Sequence, residues 1–396
     1  MARLLVIGGG GREHALVWSL AREGRHQLFC APGNAGTADL ATNVPLDGRD
    51  LAALAGLVRD ESIDLTVVGP EAPLAEGIVD QFQQGGLDIF GPVQAAARLE
   101  SSKLFARRFM RQLGIPHPDF RAADSPAEAR AAAADLGLPV VLKADGLAAG
   151  KGVMVCTTAA EVDRALETFF TEQAFGPAGM KLSVEECLVG TEMSVFAICD
   201  GERAVIMGTA QDYKRARDGD EGPNTGGMGA IAPSPLADDA LLGEVAETIL
   251  QPTLEGMRSR GTPYVGFLYA GLMIVDGRPF VIEFNVRLGD PETQVVLPLL
   301  DVPLYDLLRQ AMAGRLPDTV PVKPGAALCV VLAADGYPGK YERGKPISDL
   351  ERLDEGLLVF HAGTSLNGSG GLVSSGGRVL NVAALDESVA AAADQV

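Results

Sequence analysis

KADGLAAGKG, residues 143–152, sets two lysines around three glycines between two apolar runs, 138–144 and 153–157, that read as β-strands. Glycines let backbone N–H groups approach phosphate oxygens, and lysines supply positive charge there. The loop is not of the Walker type, because no GK[ST] opens a helix. Its plain alternative is an ordinary flexible hairpin tip. A helix over 161–171 and a strand over 181–187 come next, and Lys103 sits in the first turn of a helix over 101–113. Strand–loop–strand, helix, strand marks a small α+β lobe from about 120 to about 190.

On the N-terminal side, RLLVIGG (3–9) reads as a buried parallel strand running into glycines, with a helix starting near Glu13. Further strands at 27–31, 65–68 and 88–90 end in PGNAG, GPEAP and GP. Strands alternating with helices, each strand closing on a glycine or proline loop, describe a doubly wound parallel α/β domain over 1–102. Its ligands belong at the carboxyl ends of the strands. The glycine run 8–11 alone is a weak dinucleotide signal, and Arg12 and Glu13 stand where that fold needs small residues. A helix N-terminus beside an arginine suits a monophosphate better, with a purely structural turn as the alternative.

On the C-terminal side, strands are expected at 192–199, 204–210, 271–275 and 279–284, a helix at 299–313 and a linker at 316–324. The domain carrying them spans 103–325 and includes the small lobe. Residues 326–396 read as a small β-rich domain of short strands and turns. VIEFNVRLGDPETQ (281–294) is the most informative constellation. Glu283 and Asn285 are two apart on a strand, so they face one way. A carboxylate with an amide oxygen is hard-ligand chemistry suited to Mg²⁺ bound with nucleotide phosphates. Arg287 and Asp290 could hold the carboxylate and the ammonium of an amino acid, and a buried ion-pair network is the alternative. QDYKRARDGDEGPNTGGMGA (211–230) is expected to be a long polar loop that closes over a substrate. The acids Glu185, Glu186 and Glu192 are by themselves a poor signal.

Composition bounds the function. Glycine is abundant, 48 of 396 residues, and clusters in short loops. A net charge of −19 disfavours nucleic acid and anionic membranes as partners. Any phosphate site must therefore be a local basic cluster. The five scattered cysteines read as free thiols of a cytoplasmic protein, and neither they nor the four histidines form a zinc pattern. No signal peptide and no membrane-spanning run is expected.

GGGGREHA, PGNAGT, GPEAPLA, KADGLAAGKGV, QDYKRARDGDEGPNTGGMGA, EFNVRLGDPETQ, VFHAGT and SSGGRVLNV, in this order, resemble the glycinamide ribonucleotide synthetases of the ATP-grasp superfamily. The resemblance covers essentially the whole chain. It implies a pre-ATP-grasp domain, a two-lobed ATP-grasp domain and a small C-terminal domain. It also implies ATP and Mg²⁺ (or Mn²⁺) as cofactors, and glycine and 5-phosphoribosylamine as substrates. Lys103, Lys143, Gly150, Lys151 and Gly152 would contact the ATP phosphates. Residues 185–188, with Glu185, Glu186 and Leu188, would frame the adenine, and Glu192 would bind the ribose. Glu283 and Asn285 would hold the metal. Asp212, Lys214, Asn224, Gly226, Arg287, Gly289 and Asp290 would surround glycine and the transferring phosphate, with Lys143, Asp212, Lys214 and Arg287 as the catalytic set. Gly10, Asn34 and Glu71 would line the phosphoribosylamine pocket.

The implied reaction is a purine-biosynthetic ligation through glycyl phosphate in a monomer or weak homodimer. An ATP-grasp ligase acting on another amino acid or amine is the alternative. Two departures stand out. The strand before Glu283 offers Tyr269, Ala270 and Gly271 where many ATP-grasp enzymes carry a third acidic ligand. The family also continues for a few tens of residues past this chain's last, so the C-terminal domain is expected to be shortened.

Overall fold

The computed structural model describes residues 1–148, 152–219 and 221–396. Gly150 and Lys151, singled out above, lie outside them. The N-terminal part is a five-stranded sheet in the order β3-β2-β1-β4-β5. Its strands are β1 (Ala2–Gly8), β2 (His26–Pro32), β3 (Thr42–Asn43), β4 (Leu65–Val68) and β5 (Ile89–Phe90), all parallel. Leu4 to Ile7 are fully buried on both faces, as a parallel sheet covered by helices requires. The helix Gly11–Ala21 starts directly after β1, so the loops at the carboxyl ends of β1, β2 and β4 gather at one edge.

The small lobe is an antiparallel sheet ordered β6-β9-β7-β8, made of β6 (Phe120–Ala123), β7 (Val140–Ala144), β8 (Val153–Cys156) and β9 (Leu182–Glu186). The helices Pro126–Leu136 and Ala159–Leu166 cover it, and both have serine or threonine N-caps. It carries a core of its own, built on Ala129, Val140, Leu142, Leu166, Phe169 and Val184.

The third unit is one eight-stranded sheet, β14-β13-β10-β11-β12-β15-β19-β16. It contains β10 (Thr191–Asp200), β11 (Ala204–Arg217), β12 (Glu221–Ala232), β13 (Val265–Val275), β14 (Arg278–Asn285), β15 (Ala326–Ala333), β16 (Leu358–His361) and β19 (Arg378–Asp386). A two-stranded ladder, β17 (Thr364–Leu366) with β18 (Leu372–Ser374), lies beside it.

Three expectations are corrected here. The stretch 211–230 is not a loop. It forms most of the β11–β12 hairpin, paired from Gln211↔Ile231 to Arg217↔Glu221 through two bulges. Backbone pairing on both flanks, to β10 and β15, outweighs its polar and glycine-rich composition. The helix expected over 299–313 is shorter, Leu304–Met312 with Pro303 at its N-cap, and Leu299 instead ends a separate helix, Thr293–Leu299, that the sequence reading did not expect. Residues 326–396 are more than short strands and turns, since β15 and β19 extend the main sheet through β12.

Candidate functional site

Register decides which side chains meet. Tyr269 lies opposite Asn285 and Phe196, and Gly271 opposite Glu283 and Ser194. Glu192 lies opposite Met273, and Ser194 opposite Ala210, two residues before Asp212. Opposed residues of an antiparallel ladder share a face. One face of the main sheet therefore carries Glu192, Ser194, Asp212, Tyr269, Glu283 and Asn285. A Cβ on Gly271 would stand 3.1 Å from Cγ of Glu283, so the position opposite that carboxylate is filled by its own stem. Among the described residues no group of three His, Cys, Asp or Glu side chains is placed to hold a metal. The pair Glu283 and Asn285 offers two oxygens on adjacent same-face positions, which fits a cation that takes its other ligands from phosphates and water.

Cations come to this face from three elements. Lys103, in the first turn of the helix Lys103–Leu113, reaches Oε2 of Glu283 at 3.3 Å. Lys143 of β7 crosses from the small lobe, donating to the Ile282 carbonyl at 2.9 Å and meeting Oε2 of Glu185 at 2.9 Å. Lys214 of β11 contacts Glu192 at 2.8 Å and Asp212 at 3.6 Å. Burial opposes the charge on Glu283, but Lys103, Lys214 and Lys143 prevail and hold its carboxyl far below the ordinary range. Burial likewise opposes the charge on Lys214, yet Asp212 and Glu192 raise its ammonium well above the usual value.

Under this layer lies a pair that the sequence reading missed. Arg107 is one helical turn after Lys103 and 2 % exposed. It grips Glu185 with two bonds of 2.8 and 2.6 Å, and donates to the carbonyls of Val281 and Ile282. Ser183 donates to the same carboxylate. Against burial, Arg107 and Lys143 lower Glu185 to about 2. Its side chain is thereby committed to Arg107 and Lys143. Glu186 is exposed, and Leu188 lies half-buried in the four-residue connection 187–190 from β9 to β10, where the lobes meet. Lys143 is itself lowered, with desolvation outweighing Glu185. Gly152 is buried with its α-carbon facing Ala148 and Ala144.

Arg287 lies at the N-terminal-domain side of the cleft. It donates to Glu71 at 3.3 Å, Glu100 at 2.7 Å and Asn285 Oδ1 at 3.1 Å. Glu100, a second residue missed in sequence, also accepts from the Val286 amide. Asp290 turns the other way. Its Oδ1 accepts from Gln294 at 2.9 Å, and its Oδ2 faces the Arg12 amide at 3.4 Å and Arg378 at 3.5 Å. It is therefore placed with Gly10 rather than with Lys214. Arg12 does not stand free for an anion, because its guanidinium is bonded to Glu13 and the Leu288 carbonyl.

Asn34 is buried and fully used. Its amide donates to the carbonyls of Gly9, Gly10 and His361, while its oxygen accepts from Gly36 and Thr37. Asn224 is exposed on β12. Gly226 donates to the Tyr337 hydroxyl and accepts from Arg378. Arg378, quoted within a motif but not singled out, thus clasps β12 at Gly226 to the loop carrying Asp290.

Three family models match most of the chain. The phosphoribosylglycinamide synthetase N domain matches residues 2–100, its ATP-grasp (A) domain 101–293 and its C domain 327–396. The chain belongs to the phosphoribosylglycinamide synthetase family. The phosphoribosylamine–glycine ligase of Xylella fastidiosa strain Temecula1 is 49 % identical over 98 % of this chain and 92 % of that protein. The trifunctional purine biosynthetic protein adenosine-3 of Gallus gallus is 48 % identical over 97 % of this chain, within 39 % of its own length. The crystal structure of phosphoribosylamine–glycine ligase from Thermotoga maritima superposes with a TM-score of 0.86 at 37 % identity, covering 99 % of this chain and 95 % of that one. The family's ATP-grasp fold is shared with the 2-oxoglutarate carboxylase biotin carboxylase domain of Hydrogenobacter thermophilus, at a TM-score of 0.76 and 18 % identity over 99 % of this chain and 88 % of that one. No helix among the described residues is long and apolar enough to cross a membrane.

Proposed function

We propose that this chain ligates glycine to 5-phosphoribosylamine with ATP, giving glycinamide ribonucleotide, ADP and phosphate, as a cytoplasmic step of purine biosynthesis. The observation that carries the reading is the sheet face where Lys103 meets Glu283 and Lys214 meets Asp212 and Glu192, with Lys143 crossing to it from the small lobe through Glu185 and the Ile282 carbonyl, in a chain of this family.

The nucleotide lies between the small lobe and the main sheet, with residues 185–188 along the adenine and Glu192 at the ribose. Lys103, Lys143 and the 143–152 loop, with Gly150, Lys151 and Gly152, receive the phosphates. Glu283 and Asn285 hold Mg²⁺ or Mn²⁺, which neutralises phosphate charge when bound. A glycine carboxylate oxygen attacks the γ-phosphorus, the bond to the β-phosphate oxygen breaks, and ADP leaves. The neutral amine of phosphoribosylamine then attacks the acyl carbon of glycyl phosphate, the carbon–oxygen bond breaks, and phosphate leaves with a proton lost from nitrogen.

Such a transfer needs positioning and charge neutralisation more than a protein nucleophile. Arg287, Asp212 and Lys214 orient glycine and the transferred group. Asn224, Gly226 and Gly289 border that space, while Gly10, Asn34, Glu71 and Asp290 face the phosphoribosylamine. The β11–β12 hairpin shields the acyl phosphate from water.

Carboxylate-labelled [¹⁸O]glycine tests the intermediate. One labelled oxygen in the released phosphate is expected, and unlabelled phosphate would overturn acyl-phosphate chemistry.

A further inference from the structure

Glu292 stands apart from every other acid around the cleft. It is 4 % exposed, and its own backbone amide is the one donor to its carboxylate among the described residues, with no side chain bonded to it or paired with it. Glu71, Glu100, Glu185, Glu283 and Asp290 each have a cationic partner within 3.5 Å. The Glu292 carboxylate lies over the bare α-carbon of Gly289, where a Cβ would stand 2.5 Å from its Cδ. The charges that act on it are Asp212, Lys214 and Arg287, and it acts in turn on Tyr269. Its carboxylate therefore lies within electrostatic reach of the groups on the functional face of the main sheet.

A buried carboxylate with no paired cation and no donor beyond its own backbone amide is costly unless something else supplies charge and hydrogen bonds. Burial and the neighbouring Asp212 raise it to about 7, which expresses the same deficit. Asp290 is a poor receptor for an incoming cation, since Gln294, the Arg12 amide and Arg378 already engage its oxygens. An ammonium group brings one positive charge and three donors, a match for two facing acids.

We propose that Glu292, with Asp212, receives the ammonium group of the amino-acid substrate, and that Gly289 lacks a side chain so that this carboxylate can reach it. The proposal rests on the ligase reading above. Recognition of the α-ammonium thus falls to Glu292 rather than to Asp290.

The test is steady-state kinetics of Glu292→Gln, varying glycine, ATP and phosphoribosylamine in turn, with calorimetric unfolding as the control. Loss of one charge-assisted contact should raise the glycine KM by about a factor of 10 to 100. The other two KM values should stay unchanged, and the unfolding temperature should hold or rise, because an uncompensated buried charge is gone. Gly289→Ala, whose added methyl displaces the carboxylate, should raise the glycine KM in the same selective way. An unchanged glycine KM would overturn the proposal. So would a fall in kcat alone, which marks Glu292 as acting on the amine, or a lowered unfolding temperature with all three KM values raised together. Failure of the ligase reading itself is distinct, because unsubstituted protein would then release no phosphate in response to glycine.

Discussion

Arg107→Met removes a guanidinium and leaves an apolar side chain of similar length in the same slot. Four bonds vanish together, two to Glu185 and one each to the carbonyls of Val281 and Ile282. Both charged partners are at most 3 % exposed, so solvent cannot take the place of the lost donor. Breaking a buried pair from one side costs about 3–5 kcal/mol, because the remaining charge is left uncompensated. Lys143 softens this by keeping its 2.9 Å contact with Glu185, which argues for the lower half of that range. At about 2–4 °C per kcal/mol for a unit of this size, the calorimetric transition of the ATP-grasp domain should fall by about 10 °C. The double variant Arg107→Met/Glu185→Gln should recover a measurable part, since the two losses share one interaction and do not add. A shift corresponding to less than about 1 kcal/mol, or a double variant equal to the sum of the singles, would refute the assignment of Arg107 and Glu185 as a mutually dependent pair.

Lys143→Ala should lose most of the turnover while leaving the glycine KM in place, measured by coupled ADP release; an unaltered kcat would contradict its place at the phosphates. Glu283→Ala should lose most activity and shift the Mg²⁺ dependence to higher concentration, and near-normal turnover at limiting Mg²⁺ would refute the metal assignment. Glu185, held at about 2 in the fold against an ordinary 4.5, contributes stability above 4.5 that fades as pH falls toward 2. Unfolding free energy should therefore drop across that interval, and Glu185→Gln should flatten the drop. Arg378→Met should free β12 at Gly226 from the loop at Asp290, raising protease cleavage within 211–230 and the phosphoribosylamine KM together, whereas an unchanged digestion pattern would deny the clasp.

Much of this was legible in the sequence because it depends on local period. Glu283 and Asn285 share a face by strand alternation, and the structure places them opposite Gly271 and Tyr269 on that face. Continuous apolar runs such as Leu4–Ile7 could be read as buried parallel strands with few competing possibilities. What escaped depends on distant partners. The polar segment 211–230 is strand because β10 and β15 flank its hairpin. Asp290 and Glu292 are two residues apart and chemically alike, yet Arg378, 88 residues on, engages only the first. Arg107 had a faint signal, one helical turn after Lys103, but its partner lies 78 residues away. Pro303 was a readable start signal for Leu304–Met312 that the apolar run around it obscured.

The central claim is met most directly by phosphate release from ATP with purified protein, with and without glycine, using freshly generated phosphoribosylamine. Release that requires both co-substrates, at one phosphate per glycinamide ribonucleotide formed, is the expected result. Release that ignores glycine, or that appears only with another amino acid, would contradict it.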